Sequence, residues 1–311
     1  MKILVHIDDA TTWQQALASR FPDAEVVTSD APEERRQGAD YLAVWKPPGH
    51  LLREQSRLKG IINLGAGVDA LLKTPGLPTD VPIVKLRDAG MSELMADFVL
   101  YGVLHFQRHF DRYAAQQRNA QWHDIAVRDK KDWAVGVLGL GAIGRDVAIR
   151  LSQTGFEVHG WSRSPKQIDG VECHHGDSGL DDLLGRVDTL VTLLPDTDQT
   201  RGLIDAERLA RLPAGASLIN PGRGALVDES ALLEALGSGD EPGHLRGALL
   251  DVFQQEPLPQ DSPLWSHPRV WITPHMAAPT PLKEAINQVE ELIRAFEKGE
   301  ALETVDPAAG Y

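Results

Sequence analysis

One stretch restricts the fold more than any other: "VGVLGLGAIGRDVAIRL", residues 135–151. A short apolar run enters a turn containing Gly139, Gly141 and Gly144, and the chain leaves it with the spacing of an amphipathic helix. Glycines spaced G-x-G-x-x-G between a strand and a helix are what a chain needs to wrap a pyrophosphate. Gly139 permits the tight turn, Gly141 lets the backbone approach the anion, and Gly144 lets the helix lie close to the strand. The N–H groups near Ala142 and Ile143, with the helix dipole behind them, attract negative charge. A dinucleotide-binding βαβ unit is therefore expected here.

Its surroundings agree. Short apolar runs alternate with longer amphipathic ones along the chain, the pattern of α/β proteins with parallel sheets. Early strand candidates are "KILVHI", "YLAVW", "IINLG" and "IVKL" within residues 1–90, and a second series from Trp133 comprises "WAVGVLGLG", "FEVHGW", "DTLVTLLP", "ASLIN", "RGALLDVF" and "VWITP". The second series is almost continuously apolar, as in strands covered by helices on both faces. Between the two, a helical pattern runs from about Ser92, a suitable N-cap, to Gln121. Its stripe of Tyr101, His105, Phe106, His109, Phe110 and Tyr113 predicts packing, in a core or against a second subunit. A last helix is expected over 281–298, with Leu282, Ile286, Val289 and Ile293 on one face. A chain of 311 residues has room for about two domains.

About twenty residues after the glycine turn, a nucleotide-binding unit of this kind presents an acid to the ribose of NAD. The corresponding stretch here is "GWSRSPK", residues 160–166, which contains no acid. Ser162, Arg163, Ser164 and Lys166 instead offer hydroxyls, a planar guanidinium and an ammonium, which suit a 2′-phosphate. NADP(H) is the expected cofactor, in preference to NAD(H). The local cations gain meaning from the global balance: 31 basic against 45 acidic residues give a net charge of −14. Such a chain is not expected to bind nucleic acid or an anionic membrane.

Three strand ends then carry the groups that chemistry would need. "LINPGRGALVDE" places Arg223 after one strand, "ALLDVFQQEPLP" gives Asp251 and Glu256 after another, and "ITPHMAAP" gives His275 after a third. Loops at the carboxyl ends of strands line the ligand crevice of an open α/β sheet. An arginine can hold a carboxylate and polarise the adjacent carbonyl. A histidine can protonate a developing alkoxide, and a glutamate beside it favours the charged imidazole. Asp251 is positioned to accept a hydrogen bond from a nicotinamide amide. Hydride transfer to a 2-keto acid needs this set. "NLGAGVD", residues 63–69, is a second glycine turn after a strand, suited to a carboxylate nest.

"CHHGD", residues 173–177, reads as a loop, since adjacent Cys and His match no zinc-ligand spacing, and no metal is expected. The single cysteine, Cys173, excludes an internal disulfide and suits a reducing cytoplasm. The opening "MKILVHIDDA" is not a signal peptide, and no apolar run approaches the roughly 20 residues of a membrane helix.

Together "NLGAGVD", "VGVLGLGAIG", "LLPDTDQTRGLI", "LINPGRGALVDESALLEAL", "GALLDVFQQEPLP", "SPLWSHPRVWITPHMAA" and the closing "GY" make the chain resemble the D-2-hydroxyacid dehydrogenase family, and within it the glyoxylate/hydroxypyruvate reductase A group. The resemblance implies two Rossmann-like, doubly wound parallel-sheet domains with a cleft between them. It puts residues 1–98 and 280–311 in a discontinuous substrate domain and 99–279 in the dinucleotide-binding domain. It implies that Arg223 orients the substrate, His275 is the acid/base and Glu256 its partner. Ala66, Gly67 and Val68 would take the substrate carboxylate, while Trp45 and Met91 would narrow the pocket. Trp161, Leu194, Pro195, Pro221, Gly222, Asp251 and Ala277 would line the cofactor. A homodimer built on the helix from Ser92 is also implied.

The expected reaction is NADPH-dependent reduction of glyoxylate to glycolate and of hydroxypyruvate to glycerate. Two alternatives stand beside it: another 2-hydroxy acid as substrate, or a nucleotide-sensing protein of the co-repressor kind. Glu256 beside the histidine speaks against formate oxidation, where a Gln is usual, and no added C-terminal domain suggests a phosphoglycerate enzyme.

Overall fold

The computed structural model describes residues 1–238 and 241–310. Tyr311 of the closing "GY" lies outside them. In chain order the first elements are β1 (Lys2–His6), α1 (Ala10–Arg20), β2 (Glu25–Thr28), α2 (Glu33–Arg36), β3 (Tyr41–Val44), α3 (Gly49–Arg53), β4 (Gly60–Asn63), α4 (Asp69–Leu72) and β5 (Ile83–Lys85). Then come α5 (Met91–Gln107), α6 (Phe110–Arg118), β6 (Ala134–Leu138), α7 (Ala142–Gln153), β7 (Glu157–Ser162), β8 (Glu172–His175), α8 (Gly176–Leu184) and β9 (Thr189–Thr192). The chain finishes with α9 (Ala206–Arg211), β10 (Ser217–Asn220), α10 (Glu229–Leu236), β11 (Gly247–Leu250), β12 (Val270–Ile272) and α11 (Leu282–Lys298).

Contacts divide the chain into two units. One is Met1–Gly90 with the segment from Thr280 on; the other is Met91–Pro279. The first division therefore falls at 90, not at the 98 expected from sequence. The reason is α5, one unbroken helix from Met91 that packs on α7 and β10 and stays with the second unit throughout its length.

The first unit is a five-stranded parallel sheet in the order β2-β1-β3-β4-β5. β2, whose "EVVT" is short, escaped the sequence reading. Ile3, Leu4, Val5, Leu42, Val44, Ile61 and Ile62 are inaccessible to solvent, and each such side chain contributes roughly 1.5–3 kcal/mol of burial. The amphipathic α11 closes this unit against α1 and β4, with Ile286, Val289 and Ile293 buried. Phe296 at its end occupies the space beside Gly60, where a Cβ would come within 2.7 Å of the ring. Tyr41 donates to Glu297 at 2.6 Å, and Arg20 pairs with Glu290 at 3.1 Å.

The second unit is a seven-stranded parallel sheet, β12-β11-β10-β9-β6-β7-β8. Sequence order reverses between β6 and β9, the switch point where doubly wound sheets hold their ligands. α5 lies so close to the sheet that a Cβ on Gly102 would meet Ile219 at 2.7 Å and Leu249 at 2.9 Å. The single helix expected over Ser92–Gln121 is two helices, because His109 takes a φ of 60° and breaks the ladder. Ser92 is buried inside the first turn of α5 and does not cap it. The aromatic stripe is divided: His105, Phe106 and His109 are buried, whereas Tyr101 and Phe110 are more than half exposed. "CHHGD" is not a loop. It forms β8 and the start of α8, pairing with β7 in the register His159↔Glu172, Trp161↔His174.

Candidate active site

The three glycines of the phosphate turn differ in what holds them. Gly139 has a φ of 106°, and a Cβ there would meet the Leu193 carbonyl at 2.6 Å. A Cβ on Gly144 would strike the Gly139 carbonyl oxygen at 1.8 Å. The fold itself demands both. Gly141 has an ordinary φ of −70°, and a Cβ there would meet nothing within 4 Å. Nothing within the chain requires glycine at 141; open space at the first turn of α7, next to Ala142 and Ile143, does if an anion must approach the backbone. The turn therefore suits a dinucleotide.

The basic turn follows β7. Arg163, Ser164 and Lys166 are exposed there, and Arg163 donates to Gln199 at 2.8 Å. Ser162 is buried, and its hydroxyl donates to the Ser164 carbonyl at 2.7 Å. It shapes the turn and does not project from it. Trp161 is likewise structural in this unit: its ring is buried and its indole N–H donates to the Gly176 carbonyl at 2.9 Å. Leu194 and Pro195 are half-buried in the loop after β9, where Thr200 donates to the Pro195 carbonyl at 2.5 Å.

Three neighbouring strands then present their carboxyl ends in sequence. After β10, the buried Asn220 accepts from Thr192 at 2.6 Å and donates to the Arg223 carbonyl at 3.1 Å, which sets the path of Pro221, Gly222 and Arg223. Arg223 is half-buried, and its Nη1 donates to the Gly222 carbonyl at 2.7 Å. Gly224 lets this loop lie on the end of β11: a Cβ there would come within 1.9 Å of the Phe253 carbonyl carbon.

After β12, His275 sits at a φ of 52°, a left-handed conformation that costs about 1 kcal/mol in a residue with a Cβ. Asp251, buried at the end of β11, holds it there. Its Oδ1 accepts from Thr273 at 2.6 Å and from the Met276 N–H at 2.8 Å, and its Oδ2 accepts from the Ala277 N–H at 2.9 Å. The His275 N–H donates to the Asp251 carbonyl at 2.8 Å. The imidazole Nδ1 lies 2.7 Å from Glu256 Oε2. A carboxylate only accepts, so Nδ1 carries the proton of that bond and Nε2 is left to face a substrate. Glu256 also accepts from the Phe253 N–H at 3.3 Å. The His275 side chain is about one-third exposed and that of Glu256 about one-quarter, open to a ligand yet fixed. Within the chain, the Asp251 carboxylate thus accepts from three donors of the histidine loop, which leaves it acceptor capacity for a further donor.

In the first unit, the buried Asn63 donates through one amide to the carbonyls of Gly65 and Gly67, at 2.8 and 2.9 Å. Carbonyl and N–H of a trans peptide point oppositely. The N–H groups of Ala66 and Val68 therefore face away from Asn63, flanking Gly67, as a carboxylate nest requires. The Trp45 ring lies over Gly65, where a Cβ would meet it at 2.4 Å. Met91 is buried at the start of α5. Asn63 and Asn220, whose side chains set these two turns, are positions that sequence reading passed over; the available signal was an Asn closing an otherwise apolar strand, in "IIN" and "SLIN".

This geometry has relatives. Residues 100–277 match the model of the D-isomer specific 2-hydroxyacid dehydrogenase NAD-binding domain. A glyoxylate/hydroxypyruvate reductase A from Photorhabdus laumondii is 43% identical over 309 residues, 97% of each chain. A D-isomer specific 2-hydroxyacid dehydrogenase from Xanthobacter autotrophicus, solved with NADPH and MES, superposes with a TM-score of 0.91 at 42% identity over 99% of both chains. An NADPH-dependent glyoxylate/hydroxypyruvate reductase from Sinorhizobium meliloti, solved with NADP and sulfate, gives 0.92 at 39% identity, covering 100% of this chain and 99% of that one. Among the described residues no helix is long and apolar enough to cross a membrane. The chain belongs to the D-isomer specific 2-hydroxyacid dehydrogenase family.

Proposed function

We propose that the protein reduces small 2-keto acids, glyoxylate and hydroxypyruvate foremost, with NADPH. The observation that carries the reading is the His275–Glu256 pair at 2.7 Å, its histidine on a loop fixed by Asp251 and two strands over from the Arg223 loop. When bound, the reduced nicotinamide supplies the hydride that the carbonyl carbon receives. Arg223 polarises the carbonyl and pairs with the carboxylate. The N–H groups of Ala66 and Val68 would serve as a further carboxylate nest. His275 delivers the proton from Nε2 to the forming alkoxide, and Glu256 orients the ring and offsets the charge that the histidine carries. Trp45 is assigned to limiting substrate size, with Met91.

For the cofactor, Gly139, Gly141, Ala142, Ile143 and Gly144 would cradle the pyrophosphate. Leu194, Pro195, Pro221, Gly222 and Ala277 would line the remainder. Arg163, Ser164 and Lys166 would contact the 2′-phosphate, with Ser162 shaping their turn. Supporting this choice, both NADP(H)-bound structures named above come from relatives about 40% identical. The half-exposed Tyr101 and Phe110 on α5 and α6 support a homodimer through these helices.

Initial rates of NADPH and NADH oxidation with glyoxylate, hydroxypyruvate and pyruvate test the proposal. Rapid turnover of the first two with NADPH, and far less with NADH, is expected. Arg163→Ala should raise the KM for NADPH about 10–100-fold, the equivalent of a lost charge-assisted hydrogen bond, and leave that for NADH unchanged. Turnover of no keto acid, or equal use of NADH, contradicts it.

A further inference from the structure

We infer that His159, Glu172 and His174 form a binding site for a divalent transition metal of the zinc class, at the opposite edge of the second unit's sheet from the catalytic loops. His159 lies on β7, and Glu172 and His174 lie on the edge strand β8. Alternation along paired strands brings all three side chains to one face.

The candidate ligand atoms lie within 4.8 Å of one another. His159 Nδ1 and His174 Nε2 are 3.1 Å apart; Glu172 Oε2 is 3.7 Å from the first, and Glu172 Oε1 is 3.6 Å from the second. Nitrogen and oxygen ligands held about 2.0–2.1 Å from one zinc ion at the tetrahedral angle stand about 3.3 Å apart. These spacings are close to the edges of such a tetrahedron, with the fourth position left for water.

The outer partners fix what the inner atoms offer. His159 Nε2 meets Glu157 Oε1 at 3.1 Å, and His174 Nδ1 meets Asp182 Oδ2 at 3.4 Å. A carboxylate accepts only, so the bond to Glu157 takes the His159 proton on the outer nitrogen and leaves Nδ1 to accept. His159 Nδ1 thus turns a lone pair toward His174 Nε2, at hydrogen-bonding distance, with the Glu172 carboxylate beside both. Two imidazole nitrogens and a carboxylate at this range offer a cation three ligands. Carboxylates behind both imidazoles are also the arrangement that orients metal-bound histidines. Arg186 steadies the set, 3.5 Å from Glu172 and 2.8 Å from Asp182. Both rings are buried, while Glu172 is about half exposed and gives the ion its way in. A soft thiolate is not involved: Cys173 sits between Glu172 and His174, on the other face of β8.

Two imidazoles and a carboxylate suit Zn2+, Co2+ or Ni2+ over Mg2+ or Ca2+. The ion would clip β8 to β7 and so brace both strands that flank the Arg163–Lys166 turn. Nothing in this site depends on the proposed reduction.

The test uses full-length, tag-free, chelator-stripped protein titrated with Co2+ and Zn2+. One equivalent of Co2+ should bind with the intense visible bands of four-coordinate cobalt, be displaced by Zn2+, and not by Mg2+. Zn2+ at about a hundred times its Kd should raise the unfolding temperature by about 5 °C. Glu172→Ala, at an exposed position that leaves the fold intact, should weaken binding at least about 10-fold, and His174→Gln should do the same. Cys173→Ser should bind as the parent does. Absence of a saturable one-to-one site, unweakened binding by Glu172→Ala, or loss of binding in Cys173→Ser would each overturn the assignment.

Discussion

Asp251 binds the chain on both sides of His275: its carboxylate accepts from the Thr273 hydroxyl before the histidine and from the Met276 and Ala277 N–H groups after it. The histidine's left-handed backbone and its reach to Glu256 both follow from that clamp. Asp251→Asn keeps the size of the side chain but replaces one acceptor with a donor that faces a buried N–H. Leaving such a group unsatisfied costs about 1–3 kcal/mol. Urea unfolding should lose about that much stability with an unchanged m-value. At temperatures where the variant remains folded, kcat should still fall at least about 10-fold. Full activity in the folded variant would show that His275 needs no such support.

The phosphate turn separates folding from binding within one motif. Gly144→Ala drives a methyl into the Gly139 carbonyl and should destabilise the protein by several degrees of unfolding temperature. Gly141→Ala meets no atom of the chain and has a compatible φ. It should unfold at the parent temperature or slightly above, yet bind NADPH at least about 10-fold more weakly, as read by quenching or calorimetry. Parent-like NADPH affinity in Gly141→Ala would place the pyrophosphate elsewhere.

His105 makes stability depend on pH. Its ring is buried against Phe106 and Trp271, and its Nε2 has no hydrogen-bond partner among the described residues. Burial is the largest cause that lowers its pKa below 6.5, with the charge of Arg246 adding to it and Asp111 opposing it. His109, buried and 2.9 Å from Arg246, is shifted the same way and for the same first reason. The unfolded chain takes up protons at these sites near 6.5, whereas the folded chain resists them. The stabilisation is thus complete above that pH and is lost as pH falls toward the folded values. Denaturation midpoints should decline from about pH 6.5 downward, and His105→Leu should flatten part of that decline. An unaltered acid limb in His105→Leu would remove His105 from the account.

Much of this was legible in the sequence because it is local. Continuous apolar runs fix buried parallel strands, and glycines at 139, 141 and 144 fix the turn between β6 and α7. Arg223, Glu256 and His275 stand out as charged groups just past such strands, and the structure pairs the last two directly. What stayed hidden depends on partners far along the chain. That Asp251 also clamps the histidine loop shows only when Met276 and Ala277, 25 and 26 residues later, are seen to donate to it. Ser162 reads as a phosphate donor until the turn folds its hydroxyl back to Ser164. "CHHGD" reads as a loop because edge strand β8 is short and polar; only the pairing with β7 sets His174 beside His159. The break at His109 had no local signal, since no Gly or Pro marks it.

The central claim is that His275 supplies the proton while other groups hold the cofactor. The direct measurement compares parent and His275→Asn for NADPH affinity and for steady-state reduction of glyoxylate in the same preparations. The account predicts an NADPH Kd within about twofold of the parent and a loss of kcat of about 10²–10⁴. Turnover near the parent value in the variant, or loss of NADPH binding in step with loss of rate, would contradict it.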